Sequence, residues 1–184
     1  MRLQKQQEEL ELTRRFFVLF GHPDAKLEAV DCPDVIAIVD GHRIGIEVTQ
    51  FHSDEQSGTS GSPLRAEEAQ KVIQAEGRPY SMSGKANPLT GIVARIQDKV
   101  ERATKYDSSR YSELWLLISS QVPGAVASTF ISPSLVDIPK LNETTHKLLT
   151  MSPFVAVYLH LVMTHNLFSW SRENQWYANQ VGNS

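Results

Sequence analysis

The stretch Pro33–Gln50, PDVIAIVDGHRIGIEVTQ, places a carboxylate near each end of an otherwise apolar segment. Asp34 opens the stretch, and Glu47 lies near its close. Asp40-Gly41 in the middle is a strong signal for a two-residue hairpin loop, because a type I′ turn needs positive φ at both of its central positions. The stretch therefore predicts two antiparallel strands joined by this turn.

The turn also predicts which residues of the two strands face each other. With strands over 34–39 and 42–49, Asp34 falls directly opposite Glu47, on the same face of the sheet. Like charges are unfavourable there unless a cation compensates, and Mg²⁺ does so because hard cations bind carboxylate oxygens. Relief of the repulsion would make Glu47→Gln neutral or slightly stabilising in the metal-free protein. The alternative is that both acids lie at strand ends and are solvated.

Length and composition predict one globular domain over residues 1–184. The chain is 41% hydrophobic and 21% charged, which is enough to build a core. Its net charge of −3 gives no overall basic signature of a nucleic-acid-binding protein. The one cysteine, Cys32, excludes an internal disulfide and fits a reducing compartment.

The apolar segments are too short to predict a membrane protein. The N-terminal sequence MRLQKQQEELELTRRFF has no apolar centre of the signal-peptide type. The apolar run FVAVYLHLVM, residues 154–163, is about half the length that a bilayer-spanning helix needs. We therefore expect a cytoplasmic, soluble protein without a membrane partner.

The rest of the chain predicts alternating helices and strands. Hydrophobic periodicity and turn residues predict helices over 2–20, 64–75, 89–105 and 141–150. The strands predicted beyond the hairpin cover 113–120 and 154–162, with an edge strand over 167–171. This order predicts an α/β fold with one mixed sheet flanked by helices. Trp170, Trp176 and Tyr177 near the tail either pack on the sheet or stack on nucleic-acid bases.

The hairpin resembles the core of the PD-(D/E)XK nuclease superfamily, which has the restriction-endonuclease-like fold. The resemblance covers residues 1–120, where a leading helix, the hairpin, a long helix and a strand follow in the family's order. It implies a three-layer α/β fold with a central mixed β-sheet, and hydrolysis of phosphodiester bonds in nucleic acid, above all DNA. Asp34 then corresponds to the "PD" acid and Glu47 to the "(D/E)XK" acid, and both would bind Mg²⁺ or Mn²⁺. The sequence is compatible with a homodimer.

The chain departs from the family pattern at the motif lysine. Thr49 stands two residues after Glu47, on the same face by strand alternation, but its hydroxyl cannot supply the positive charge that orients and acidifies the attacking water. The resemblance offers a substitute, since some members carry the lysine on the following helix. Lys99 fits because it borders the apolar stripe of the helix over 89–105. Lys85 in the preceding loop is a weaker candidate, and an ordinary surface lysine is the alternative for Lys99.

Glu9 is a further candidate on the first helix. It lies three residues before Leu12 and seven before Phe16, on the inward-leaning side of that helix. Folds related to this one use an acid at such a position, so Glu9 joins the candidate catalytic residues. The alternative is a solvated glutamate.

Three functions follow from these patterns. The first is a metal-dependent nuclease, in which a cation on Asp34 and Glu47 would polarise the phosphate, generate hydroxide and stabilise the leaving oxygen, assisted by Lys99. The second, favoured by Thr49, is a catalytically inactive protein of nuclease fold that binds nucleic acid or a protein partner. The third is an interaction domain unrelated to nucleases, in which both acids are solvated.

Overall fold

The described part of the chain is an α/β unit built on a mixed sheet. The computed structural model describes residues 2–51, 88–120, 136–162 and 165–179. Within these ranges the helices are α1 (Arg2–Leu19), α2 (Pro88–Ala103) and α3 (Ile138–Thr150), and a short 3₁₀ helix covers Ser108–Arg110. The strands are β1 (Lys26–Ala29), β2 (Val35–Val39), β3 (His42–Gln50), β4 (Glu113–Ser119), β5 (Ala156–Leu161), β6 (Asn166–Ser171) and β7 (Tyr177–Asn179).

The seven strands lie side by side in the order in which they follow along the chain. The pairs β1–β2 and β2–β3 are antiparallel, β3–β4 and β4–β5 are parallel, and β5–β6 and β6–β7 are antiparallel. The parallel strands form the centre of the sheet, and their carboxyl ends meet at one edge. Crevices outside such carboxyl ends are where open α/β sheets usually bind ligands.

The hairpin prediction is confirmed. Asp40 has φ 50° and Gly41 has φ 83°, the positive values that a type I′ turn requires. The observed register pairs Val39 with His42 and Val35 with Ile46. Extended by one residue, this register sets position 34 opposite position 47, as the sequence predicts.

The helices cover both faces of the sheet. On α1, Leu12, Phe16 and Phe17 pack in one buried cluster that includes Leu117 of β4. The apolar stripes of α2 and α3 pack in a second cluster that includes the neighbouring Leu116. Because consecutive strand residues point to opposite faces, α1 lies on one face and α2 and α3 lie on the other. This arrangement is compatible with a three-layer α/β fold.

The predicted elements agree with the observed ones, with four corrections. The sequence does not predict the short edge strand β1, because KLEA is mostly exposed and only four residues long. It does not predict the three-residue strand β7 either, which lies at the other edge of the sheet. The predicted edge strand over 167–171 is interior, since β6 pairs with both β5 and β7. Helix α3 begins three residues before the predicted start, because Asp137 caps it by accepting a hydrogen bond from the Lys140 amide.

The tryptophans near the tail pack inside the protein. Trp170 and Trp176 are buried, and the indole N–H of Trp176 donates to Thr145 Oγ1 at 2.9 Å. Base stacking is therefore the wrong interpretation for these two residues, whereas Tyr177 is exposed. Among the described residues, no helix combines the length and apolar character that crossing a membrane requires. The helix predicted over 64–75 lies outside the described residues.

Gly45 allows a close approach over the hairpin that carries the two acids. A Cβ atom at this position would lie 2.8 Å from Pro33 Cγ and 2.9 Å from Tyr111 Cδ1. We expect Gly45→Val to lower the free energy of unfolding by about 1–3 kcal/mol, because the added methyl groups overpack this contact. Urea denaturation measures the change, and His42→Val, at an exposed position of the same strand, is the control. If the two variants are equally stable, the side chains of Pro33 and Tyr111 move aside without loss of stability.

Candidate functional site

Asp34 is tied to the neighbouring strand by its side chain. It lies just before β2 and is 8% exposed. Its Oδ2 accepts a hydrogen bond from the backbone N–H of Val48 on β3, with 2.9 Å between nitrogen and oxygen. Val48 directly follows Glu47 in the chain, so this bond holds the Asp34 carboxylate beside the residue that the register sets opposite it.

Glu47 lies inside the nine-residue strand β3 and is 3% exposed. Its side chain has an ion-pair partner on α2. Lys99 Nζ donates to Glu47 Oε1 at 2.6 Å, and this ammonium is itself largely buried. Tyr106, beyond the end of α2, acts with Lys99 against the rise in the pKa of the Glu47 carboxyl group. The candidate lysine thus reaches the site by the route predicted from helix periodicity.

Burial and a neighbouring carboxylate raise the pKa of both carboxyl groups. Burial raises the pKa of Asp34, and the charge of Glu9 raises it further, against the opposing effects of Lys99 and the Val48 amide. Burial also raises the pKa of Glu47, followed by the charge of Asp34, against Lys99 and Tyr106. The alternative of two solvated acids at strand ends is therefore wrong.

Glu9 lies at the border of the same site. It is 6% exposed, so the alternative of a solvated glutamate is wrong here too. Lys5, one helical turn earlier, places Nζ 2.9 Å from Glu9 Oε1 and 3.8 Å from Asp34 Oδ1. Burial lowers the pKa of Lys5, but the hydrogen bond to Glu9 and the nearby carboxylates outweigh it and raise that pKa overall. Most of the Lys5 side chain is exposed, so its ammonium is a second positive charge at the solvent-exposed border of the site.

Thr49 occupies the position of the family lysine without its charge. It is buried and pairs with Ile118 of β4, while Glu47 pairs with Leu116. Leu116 and Ile118 belong to the cluster on the α2 side of the sheet, so Thr49 and Glu47 share that face as predicted. Lys85, the weaker candidate for the missing charge, lies outside the described residues.

Two residues of the site were not found from the sequence. Tyr106 lies seven residues after Lys99, which is about two helical turns. That spacing is a usable signal, but it extends beyond the end of α2 at Ala103, where a turn bonds the Tyr106 amide to the Ala103 carbonyl at 3.2 Å. The signal for Lys5 is the spacing of four residues to Glu9, which is common for solvated ion pairs on helices.

The donor set suits a small hard cation. Mg²⁺ is commonly bound through one or two carboxylates, with water and substrate phosphate completing its shell. Asp34 and Glu47 provide such a pair, and a bound cation would offset the repulsion between them. The described ranges contain no group of three or more His, Cys, Asp or Glu side chains placed to hold one ion. Glu9 is therefore a neighbour of the carboxylate pair and does not complete a three-residue ligand set.

Comparison with protein-family models, curated proteins and solved structures finds no significant match to this chain. Arguments about function therefore rest on the chain's own residues.

The ion pair with Lys99 bears on the expected effect of neutralising Glu47. Glu47→Gln relieves the repulsion with Asp34 and removes a buried charge, but it also removes the ion-pair partner of the largely buried Lys99 ammonium. Burial and the charge of Asp34 together outweigh the effect of Lys99, since they raise the pKa of Glu47 overall. We therefore keep the expectation that Glu47→Gln is neutral or slightly stabilising in the metal-free protein.

Chemical denaturation measures this effect against a matched control. Glu28 pairs with Arg43 at 3.3 Å on the surface, with about half of each side chain exposed. Glu28→Gln should change stability by no more than about 0.5 kcal/mol. A clear loss of stability in Glu47→Gln beside an unchanged Glu28→Gln would show that the Lys99 ion pair outweighs burial and repulsion at Glu47.

Proposed function

We propose that the protein is a metal-dependent nuclease that hydrolyses phosphodiester bonds of DNA, on a three-layer restriction-endonuclease-like fold. The observation that carries this proposal is the convergence of Asp34, Glu47 and Lys99. The Lys99 ammonium lies 2.6 Å from Glu47, and Asp34 is bonded to the residue after Glu47. A buried acid pair with a lysine beside it has the charges that phosphodiester hydrolysis needs at one place.

The order and pairing of the elements support the same proposal. Helix α1, the β2–β3 hairpin, helix α2 and strand β4 follow each other in the order shown by the PD-(D/E)XK superfamily. Strand β4 pairs in parallel with β3, and β1 adds an edge strand before the hairpin. Glu47 lies on β3 beside the central strand β4, Asp34 is bonded to β3 from the start of β2, and Lys99 reaches Glu47 from α2.

Each side chain has a distinct part in the proposed reaction. A Mg²⁺ or Mn²⁺ ion on Asp34 and Glu47 would supply Lewis-acid charge and a bound water of lowered pKa. Lys99 gives a positive charge on the α2 side, where it stabilises the charge that develops on the phosphate and orients the attacking water. Lys5 at the exposed rim attracts the phosphate backbone as it approaches. Thr49 contributes a hydroxyl and no charge.

A second candidate function is binding of nucleic acid without cleavage. The observation that favours it is Thr49, an uncharged residue at the position where the family carries lysine. In this interpretation Lys99 serves only to compensate Glu47, as the ion pair between them permits.

A cleavage assay distinguishes these two functions. Wild-type protein is incubated with single-stranded DNA, double-stranded DNA and RNA, with Mg²⁺, with Mn²⁺ or with excess chelator. Metal-dependent cleavage that disappears in Asp34→Ala supports the nuclease proposal. Asp98→Ala is the matched control, because Asp98 pairs with Arg102 on the surface of α2. Retained binding of nucleic acid without cleavage under any condition would instead favour the second candidate.

A further inference from the structure

The Lys5 ammonium lies where a metal ion would approach Asp34. Oδ2 of Asp34 accepts the backbone N–H of Val48, so an ion would approach through Oδ1. Lys5 Nζ lies 3.8 Å from this Oδ1 and 2.9 Å from Glu9 Oε1. The buried Glu9 carboxylate on the same helix therefore holds the ammonium beside Asp34.

The other acid of the pair also has an ammonium beside it, but the two lysines differ in exposure. Lys99 Nζ lies 2.6 Å from Glu47 Oε1, and its side chain is 13% exposed. The Lys5 side chain is 69% exposed. Lys5 can therefore move between Asp34 and a ligand in solution without opening the core of the protein.

A divalent cation on Asp34 would repel the Lys5 ammonium. Mg²⁺ binds oxygen ligands at about 2.0–2.1 Å, which is closer to Oδ1 than the 3.8 Å of Lys5 Nζ. Two positive charges a few ångströms apart repel each other. The flexible stem of lysine lets the ammonium move into solvent, where a phosphate of nucleic acid can pair with it.

We propose that Lys5 couples the two ligands of the site, because it competes with the metal ion for Asp34 and leaves Asp34 when a substrate phosphate binds its ammonium. This inference rests on the proposed metal-dependent nuclease. Binding linkage is reciprocal, so metal and substrate each raise the affinity of the protein for the other. The free protein then binds metal more weakly than its complex with substrate does.

Metal titration without substrate tests the competition. Lys5→Met keeps an unbranched side chain and removes the charge, whereas Lys5→Arg keeps the charge. Arg14→Met is the matched control, because it removes one positive charge from the same helix at a residue that pairs with Glu11 on the surface. Calorimetry with Mn²⁺ should show affinity about fivefold or more tighter in Lys5→Met, and within about twofold of wild type in Lys5→Arg and Arg14→Met.

Kinetics test the coupling to substrate. In Lys5→Met, the Mg²⁺ concentration for half-maximal cleavage should fall by about fivefold, because the competing charge is gone. The KM for DNA should rise, because the phosphate loses its ammonium partner. A general structural defect would raise both values, and this result would overturn the inference.

The outcomes also separate this inference from the proposed function. Mn²⁺ affinity in Lys5→Met equal to or weaker than in wild type overturns the inference and leaves the nuclease proposal standing. Equal tightening in Arg14→Met also overturns it, because the effect would then come from net charge alone. Tighter Mn²⁺ binding confined to Lys5→Met, in a protein that cleaves no substrate, supports the competition at Asp34 and removes the nuclease. Absence of Mn²⁺ binding in both wild type and Lys5→Met overturns both proposals.

Discussion

The Lys99→Ala variant is expected to lose metal-dependent cleavage by about 100-fold or more in kcat/KM, because in the proposed nuclease it loses the positive charge that acts on the reacting phosphate. Thr49 cannot replace this charge, since it carries only a hydroxyl. Steady-state cleavage at saturating Mg²⁺ measures the loss, and circular dichroism shows whether the helices and sheet persist. Lys105→Ala, at an exposed position after α2, is the control and should cleave like wild type.

A second substitution tests whether the two positions serve one site. Thr49 and Glu47 lie on the same face of β3, and Lys99 reaches that face from α2. Adding Thr49→Lys to Lys99→Ala should therefore restore part of the lost activity. If Lys99→Ala alone cleaves as fast as wild type, the assignment of the lysine is wrong. The reaction would then use the metal ion without a contribution from the Lys99 ammonium.

The second large effect is expected for metal binding. Mn²⁺ should bind wild-type protein and raise its free energy of unfolding, by about 2.7 kcal/mol when free metal exceeds Kd a hundredfold. Glu47→Ala should abolish both effects, because it removes one of the two carboxylates. Calorimetry and thermal unfolding with and without metal measure them, with Glu28→Ala as the surface control. If Mn²⁺ stabilises Glu47→Ala as much as it stabilises wild type, the ion binds at a place other than Glu47.

The same carboxylates predict a pH dependence of stability without metal. Burial raises the pKa of Asp34 above its ordinary value of 3.8 and the pKa of Glu47 above 4.5. The folded state therefore binds protons more tightly than the unfolded state, so this contribution to stability is full below those ordinary values. It is lost as the pH rises through the raised pKa values, because the buried groups ionise.

Urea denaturation across this pH range tests whether the free energy of unfolding falls as the pH rises. Asp34→Asn should lose less stability than wild type as the pH rises from about 4, because its amide does not ionise. The asparagine oxygen can still accept the Val48 hydrogen bond, so the fold should persist. Parallel pH profiles in the two proteins would contradict the effect of burial on Asp34.

The central part of this structure could be predicted because its signals are local. Asp40-Gly41 fixes the turn, and the turn fixes the register that sets Asp34 opposite Glu47. Helix periodicity then places Lys99 beside the buried stripe of α2. Each step needs only a few neighbouring residues and a repeat of two or 3.6 residues.

The remaining features depend on contacts between distant segments. Tyr106 lies in a turn that follows the end of α2. The helical periodicity of α2 ends before this turn, so it does not predict the position of Tyr106. Lys5 resembles any lysine in a solvated ion pair until α1 is packed beside Asp34. The strand β1 is mostly exposed and contains both polar and apolar residues. It forms a strand because it pairs with β2 at the edge of the sheet.

The hydrogen bond from the Val48 amide to Asp34 also bears on which ions the site would prefer. It engages Oδ2, so a ligand would approach Asp34 through Oδ1, the oxygen that faces the Lys5 ammonium at 3.8 Å. Asp34 is therefore suited to bind an ion through one oxygen. Ca²⁺ takes six to eight oxygen ligands and often binds a carboxylate through both oxygens, whereas Mg²⁺ keeps an octahedral shell that is mostly water. A single-oxygen contact at Asp34 thus favours ions of low coordination number and leaves several positions of the shell to exchangeable ligands.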